Sequence, residues 1–405
     1  MKIVQVGTGF LPVLPSGTGG VEKYVHYLSA ALQRLGHEVT VIDLPVSSPA
    51  CAPYRRVDLP LLWRYDFNLA AHALRGLLFG WRVARWLKVL IAEEGVDVVN
   101  FQGQFTAVTG IPVGRRDGVS AVLTMHNSLW SDARACQSPW QRAKFWLEQR
   151  AEARADAIIS VSRTVAEHRV RFFGVDPRKI AAVPCGVDDY YFEAEAASSL
   201  VKSRFSPDDK PLILQVARLA PYKNQLATAT AFKAVIGIIP NAGLVFASSV
   251  DDEGYFRTLE RILGATDTAN RAVFAGPVID ELRQLYGLAK IVVLPSLQEN
   301  SPLAALEAMA QGKAIVASDI APLREMLPEG TAVLVARSDH DALGQALIRL
   351  LRDDRAREQM GARARRRAYD VYRWERVAQR IAQVYENLVS GRPASNGVSE
   401  SSVRR

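Results

Sequence analysis

Short runs of apolar and β-branched residues alternate with longer segments of helical period along most of the chain. That alternation predicts successive βα units, and therefore parallel sheets covered by helices. In the first half the runs place strands near Ile3–Val6, Glu38–Ile42, Val96–Phe101, Ala121–Thr124, Ala157–Val161 and Ala181–Val183. A second series follows the polar stretch Ser198–Lys210, with strands near Leu212–Val216, Gly243–Ala247, Ala272–Phe274, Ile291–Leu294, Ala314–Ala317 and Ala332–Val335. From Asp339 the period is helical to about Val389, and the polar segment from Gly391 reads as a disordered tail. The expectation is an α/β chain with two Rossmann-like sheets. Such sheets bind ligands at the carboxyl ends of their strands, so a cleft between two facing domains is the expected site.

Composition narrows the class. A length of 405 residues suits two large domains or three small ones, and 49% hydrophobic against 23% charged residues gives ample core, which excludes a mainly disordered chain. Cys51, Cys136 and Cys185 are widely spaced and form no Cys-x-x-Cys pair, which suits a reducing, cytoplasmic setting better than a disulfide scaffold. No run of 18 uncharged apolar residues occurs, so no membrane span is expected.

The net charge of +8 is concentrated in two places. Seven basic residues stand against two acidic ones between Tyr54 and Leu90, and nine arginines against five acids between Arg352 and Arg376. The rest of the chain is nearly neutral, so a diffuse nucleic-acid surface is not indicated. The first stretch carries Trp63, Trp81 and Trp86, with Arg82, Arg85 and Lys88 at helical spacing. It reads as an amphipathic basic helix suited to an anionic membrane surface or a lipid-linked acceptor, or else as a core helix with a solvated basic face.

Candidate chemistry falls after the strands. Gly7-x-Gly9 with Asp43 closing the second strand matches part of a dinucleotide fingerprint, but the third glycine is missing. A glycine-rich loop, Ser16 to Gly20, instead feeds a helix at Val21, where bare amides of Gly19 and Gly20 can approach a ligand closely. His126 ends the strand Ala121–Thr124 on the cleft side. No His-Glu-x-x-His or Asp-x-Asp spacing is present, so no metal site is expected.

In the second half, Arg218 and Lys223 lie five residues apart across a turn and a helix start, a spacing that suits a diphosphate. Downstream, Leu294 ends a strand, a polar turn carries Glu299, Asn300 and Ser301, and Pro302 is expected to open a helix at a position where its missing N–H costs nothing. The amides of Leu303 and Ala304 would then face a phosphate. Glu299 precedes that helix and Glu307 lies inside it, so one carboxylate can meet a sugar while the other accepts from ribose hydroxyls.

These motifs, in this order, resemble the retaining glycosyltransferases of family four, over roughly Lys2 to Leu388. The most specific match is Glu299-x7-Glu307 followed by Ala308-Met309-Ala310. It is supported by Gly19-Gly20-Val21-Glu22, by Thr124 with His126, by Val183-Pro184-x-Gly186-Val187-Asp188, and by Arg218 with Lys223. The resemblance implies the GT-B fold, two Rossmann-like domains facing each other across a cleft, with residues 1–188 and 371–390 binding acceptor, 189–370 binding the nucleotide-sugar, and 391–405 as tail.

It also implies roles. Arg218 and Lys223 would hold the donor diphosphate, Glu307 the ribose, and Glu299 the donor sugar hydroxyls. Val278, in the turn from Ala275, would line the base. Gly19, Gly20 and His126 would lie opposite the anomeric carbon. A hexose-type sugar would pass with retention, without a metal or other cofactor, from a UDP- or GDP-sugar to a glycan or lipid-linked acceptor. The setting would be polysaccharide or glycolipid synthesis at the inner face of the membrane, with no nucleic-acid partner. An epimerase or a sugar-nucleotide sensor on the same fold is the alternative.

The chain departs from the family pattern at several points. Cys185 stands for the usual Asn, Ala217 for a Gly, Ala247-Ser248-Ser249-Val250-Asp251 for a Gly-x-Gly turn, and Ile320-Ala321 for Gly-Gly. Asn100-Phe101-Gln102 lacks the histidine often found after that strand.

Overall fold

The computed structural model describes residues 1–14, 19–46, 52–61, 69–116, 118–126, 138–207, 210–247, 249–264, 271–278 and 281–394, with backbone alone at 69–73, 114–116 and 140. Cys51, Trp63, Cys136, Ser248, residues 16–18 of the glycine-rich loop and the tail beyond Ala394 lie outside the described residues.

The chain divides into two compact units, with boundaries at Gly186/Val187 and Arg373/Trp374. The first holds strands β1 (Lys2–Val6), β2 (Glu38–Asp43), β3 (Arg55–Asp58), β4 (Val98–Phe101), β5 (Ser120–Met125), β6 (Ala157–Ser160) and β7 (Ile180–Ala182). Its helices are α1 (Gly20–Arg34), α2 (Leu69–Glu94), α3 (Gln104–Arg116), α4 (Pro139–Arg154) and α5 (Arg163–Phe173). The second holds β8 (Leu212–Val216), β9 (Gly243–Ala247), β10 (Ala272–Gly276), β11 (Ala289–Leu294), β12 (Ala314–Ser318) and β13 (Val333–Val335). Around them lie α6 (Ser199–Phe205), α7 (Gln225–Ile238), α8 (Glu253–Gly264), α9 (Leu282–Leu288), α10 (Leu303–Ala310), α11 (Ala321–Met326), α12 (His340–Arg352) and α13 (Asp354–Arg367). The closing helix α14 (Trp374–Val389) belongs to the first unit.

Both sheets are parallel throughout, ordered β3-β2-β1-β4-β5-β6-β7 and β10-β9-β8-β11-β12-β13. Each sheet reverses its winding beside its first strand, between β1 and β4 and between β8 and β11, and crevices for ligands open at such points. The central strands are buried on both faces, which is why they read as continuous apolar runs.

Three differences from the sequence reading have physical causes. Strand β3 is short and edge-lying, and three of its four residues are charged (Arg55, Arg56, Asp58), so it carries no apolar run to betray it. The helical stretch from Asp339 breaks at Asp353, which caps α13 through its side chain, and again at a single π turn, Ala368–Tyr372. The expected tail is ordered at its start, where Arg392 donates its amide to the Asn387 carbonyl (2.7 Å) and Ala394 is buried.

The two basic stretches are largely consumed internally. Arg55 pairs with Glu94, Arg56 with Asp58, and Arg75 and Arg82 donate to the Gly9 and Pro60 carbonyls. In the second stretch Arg363, Arg365 and Arg367 donate to the carbonyls of Gly330, Ala310 and Met326, and Arg373 grips Asp189 through two bonds of 2.7 Å. Among the described residues no helix is long and apolar enough to cross a membrane.

Candidate active site

In the first unit, β1 feeds a loop whose end, Gly19, caps α1 with extended backbone. A side chain at Gly19 would overlap the Glu22 carboxylate, which turns back onto it and accepts from Thr8 Oγ1 (3.1 Å). Burial holds the Glu22 carboxyl above its ordinary range. Gly20 is the first helical residue. Here glycine provides space for a carboxylate rather than an unusual dihedral angle.

His126 follows β5 and is placed by a buried chain of hydrogen bonds across the carboxyl ends of three strands. Tyr385 of α14 accepts at its hydroxyl from Gln5 Nε2 (3.2 Å) and Asn100 Nδ2 (2.8 Å). Gln102 Nε2 donates to Gln5 Oε1 (2.8 Å), and Thr124 donates to Asn100 Oδ1 (2.9 Å). Gln102 Oε1 is thereby left to face His126 Nε2 at 2.9 Å, which makes Nε2 the protonated ring nitrogen. Burial lowers the His126 pKa to about 3, so the ring is neutral at physiological pH. Tyr24 meets it edge-on at 4.7 Å. Gln102 thus stands against His126 where the family often has a second histidine. Sequence reasoning did not single out Gln5 or Tyr385, because an amide and a lone tyrosine carry no motif, and it met Gln102 only within a segment noted for lacking a histidine.

A cavity of about 300 Å³ opens beside these groups, walled by Phe10, Leu11, Glu22, Gln102, His126 and Lys144. Glu148 and Glu152 of α4 also line it. Behind them the fully buried Arg169 of α5 lies 3.4 and 3.3 Å from the two carboxylates, and burial lifts Glu152 to about 7. The cavity sits at the β1–β4 reversal, as the topology requires.

In the second unit, β8 runs into Arg218 and then a 3₁₀ turn, Pro221–Lys223, closed by Asn224 at φ 56° before α7 begins. This turn is sewn to the loop after β11. Leu297 N donates to the Tyr222 carbonyl (2.8 Å), and Asn224 Nδ2 donates to the Pro295 carbonyl (3.1 Å). The stitching brings Lys223 Nζ within 2.6 Å of Glu299 Oε1, which also accepts from Ser296 Oγ (2.7 Å). Arg218 is exposed but engaged, donating to Asp251 (2.6 Å) and to the Tyr222 hydroxyl (2.7 Å). The two cations expected to lie open to a diphosphate therefore each hold a carboxylate. Asp251, in the segment that replaces the Gly-x-Gly turn, is the partner that the sequence did not announce.

Pro302 caps α10 with extended backbone (φ −69°, ψ 119°) instead of occupying its first turn, so the helix starts at Leu303. The residue before the cap carries no helical constraint, and the amides of Leu303 and Ala304 still lack acceptors inside the helix. Asn300 and Ser301 form the bend leading into it. Glu307, within α10, is buried and accepts from the Tyr286 hydroxyl of α9 (2.9 Å). Lys223 and Glu299 are brought into contact, while Glu307 is held separately by Tyr286. Val278 follows β10 two residues after Gly276, whose φ of 72° makes the turn.

Comparison with known proteins places this geometry. The Glycosyltransferase Family 4 model matches residues 18–190, and the Glycosyl transferases group 1 model matches 198–367. A D-inositol 3-phosphate glycosyltransferase of Xylanimonas cellulosilytica is 32% identical over 96% of this chain and 95% of its own. A GDP-mannose-dependent alpha-(1-6)-phosphatidylinositol monomannoside mannosyltransferase of Mycolicibacterium smegmatis is 26% identical over 93% and 96%. Among solved structures, Anabaena HepE in complex with UDP-glucose superposes with a TM-score of 0.74 at 16% identity, over 96% of this chain and all of that one. Two Rossmann-like units with these matches define a GT-B chain, and it belongs to the family-four, group 1 glycosyltransferases.

Proposed function

We propose that this glycosyltransferase moves a hexose-type sugar from a UDP- or GDP-sugar to a glycan or lipid-linked acceptor, with retention and without a metal. The observation that carries this reading is the Lys223–Glu299 pair at the β8–β11 reversal, beside the amino end of α10. As the sugar leaves, negative charge builds on the departing diphosphate. Arg218, Lys223 and the amides of Leu303 and Ala304 gain strength as that charge develops. Glu299, already bonded to Lys223, can orient the cation and accept from sugar hydroxyls. Glu307 accepts from ribose, and the turn at Val278 borders the base, with Asn300 and Ser301 at the helix mouth.

The first unit, with its cavity beside His126, would supply the acceptor side. Gly19, Gly20 and a neutral His126 would lie opposite the anomeric carbon, and His126 serves there as a hydrogen-bonding group rather than an acid. The GDP-mannose in one relative's name and the UDP-glucose bound to HepE support a nucleotide-sugar donor, and the phosphatidylinositol monomannoside in that relative's name supports a lipid-linked acceptor.

Peripheral attachment at the inner face of a membrane belongs to the same proposal. Leu74, Leu78, Trp81, Trp86 and Val89 are all exposed along α2, and Arg85 stacks over Trp81 (5.1 Å). Because Arg55, Arg56, Arg75 and Arg82 are committed elsewhere, Arg85 and Lys88 would meet the lipid charge.

The test is release of nucleoside diphosphate from purified protein across UDP-, GDP- and ADP-sugars, with and without glycan or lipid-linked acceptors. Release that depends on acceptor supports transfer. Donor turnover that ignores acceptors, or binding without release, supports an epimerase or a sensor instead.

A further inference from the structure

The loop after β1 is fastened at three points by groups the reaction itself does not use. Asp43, at the end of β2, is fully buried, and its Oδ2 accepts from the Val13 amide. Arg56 of β3 donates to the Val13 carbonyl (2.9 Å) and the Leu44 carbonyl (3.1 Å), with its Nη2 lying 3.7 Å from Asp43. Both backbone groups of Val13 are therefore held by one carboxylate and one guanidinium, and its side chain is buried. Upstream, Arg75 donates to the Gly9 carbonyl (3.0 Å), and Gly9 takes φ 77° with Phe79 packed where a side chain would go. A side chain at Gly7 would overlap the Asp43 carboxylate. Between these anchors lie Phe10 and Leu11, which wall the cavity that His126 lines.

We propose that Asp43 and Arg56 are positioning residues for sugar transfer: they clamp Val13 and so hold Phe10 and Leu11 at the cavity. This rests on the transferase reading above for its catalytic consequence, while the clamp itself is a statement about the loop. A burial cost supports it. A fully buried aspartate beside an arginine of the edge strand that is only 11% exposed is expensive to keep unless the pair organises something, and here the organised object is backbone with no regular partner.

Amide hydrogen exchange on the full chain tests the clamp directly. Arg56→Met and Asp43→Ala should each speed exchange across residues 8–13 by about tenfold or more, since opening the loop no longer breaks the bond that each makes to Val13, while β5 and β11 exchange as before. Asp43→Asn keeps an oxygen acceptor for the Val13 amide and should restore protection. The activity arm uses acceptor-dependent release of nucleoside diphosphate, with the donor and acceptor that the screen described under the proposed function identifies. Arg56→Met should lower kcat about tenfold with donor KM within about twofold, because the donor grip lies in the other unit, and Asp43→Asn should return kcat toward wild type. Unchanged exchange over 8–13 in both Arg56→Met and Asp43→Ala would overturn the clamp, as would faster exchange spread evenly through the first unit. If no donor and acceptor pair gives acceptor-dependent release with wild-type protein, the transferase reading fails and the exchange arm still judges the clamp.

Discussion

Lys223 Nζ and Glu299 Oε1 meet at 2.6 Å although 76 positions separate them in the chain. The pair joins the turn after β8 to the loop after β11, so the carboxylate fixes where the ammonium points; under the proposed function it would aim that charge at the donor phosphate. Replacing Lys223 by Ala should lower turnover by about tenfold or more, since a transition-state contact is lost. It also leaves Glu299 mostly buried without its cation, at a cost of about 1–3 kcal/mol in stability. Near wild-type turnover in folded Lys223→Ala protein removes Lys223 from the site.

Tyr286→Phe tests the second carboxylate. The hydroxyl that fixes Glu307 disappears while the ring, and hence the packing, remains. Losing one such bond is worth about 1 kcal/mol, or roughly a fivefold rise in donor KM, with kcat little changed. A fall in kcat at constant KM would place Glu307 at the reacting centre instead of the ribose.

Burial pushes the Asp43 carboxyl up to about 7, only partly countered by the Val13 and Leu44 amides and by Arg56, with Glu22 adding to the rise. A raised acid binds its proton more tightly in the folded chain than in the unfolded one. The stability it contributes is complete below about pH 4 and lost as pH rises through about 7. Thermal midpoints measured from pH 6.5 to 8.5 should therefore fall, and fall less in Asp43→Asn. Glu152, also raised to about 7, keeps a residual slope. His26 and His126, lowered to about 4 and about 3 by burial, act in the opposite sense from about pH 6.5 downward and overlap the lower edge of this window, but they are common to both proteins, so the difference between the two slopes reports Asp43. An identical slope in Asp43→Asn would mean that Asp43 titrates as an ordinary carboxylate.

For the face of α2, vesicles of phosphatidylcholine with and without phosphatidylglycerol give the measurement. Wild-type protein should co-sediment with the anionic vesicles, and the double variant Trp81→Ala, Trp86→Ala about fivefold less. Equal recovery with both vesicle types would assign the exposed tryptophans to some role other than lipid docking.

Much of this was legible in the chain because parallel strands buried on both faces cannot avoid apolar runs, and twelve of them were located from those runs alone. Gly19, Gly20, Arg218, Lys223, Glu299 and Glu307 stood out because they follow strands in a fixed order. What stayed hidden was pairing at a distance. Nothing near Arg218 in sequence points to Asp251, and nothing near His126 points to Gln102 or Tyr385, since those contacts exist only once the sheet is assembled. Strand β3 was missed for a different reason: its stability comes from ion pairs and backbone bonds, to which hydrophobic periodicity is blind. The basic stretches needed the assembled structure too. Charge counts say where arginines are, and the structure shows that many are spent on carbonyl oxygens.

The return of α14 to the first unit has a consequence for the order of manufacture. Residues 187–373 are contiguous and can close their sheet as soon as they leave the ribosome. Residues 1–186 emerge first but finish last, because Gln5 and Asn100 have no partner for their amide nitrogens until Tyr385 arrives. Trp374 likewise fills the space against Gly186 and Tyr24 only at that stage. During synthesis the first unit therefore waits, with its central polar chain uncapped, while residues 187–373 can fold, so a product shortened before Tyr385 would retain a structured second unit and an unfinished first one.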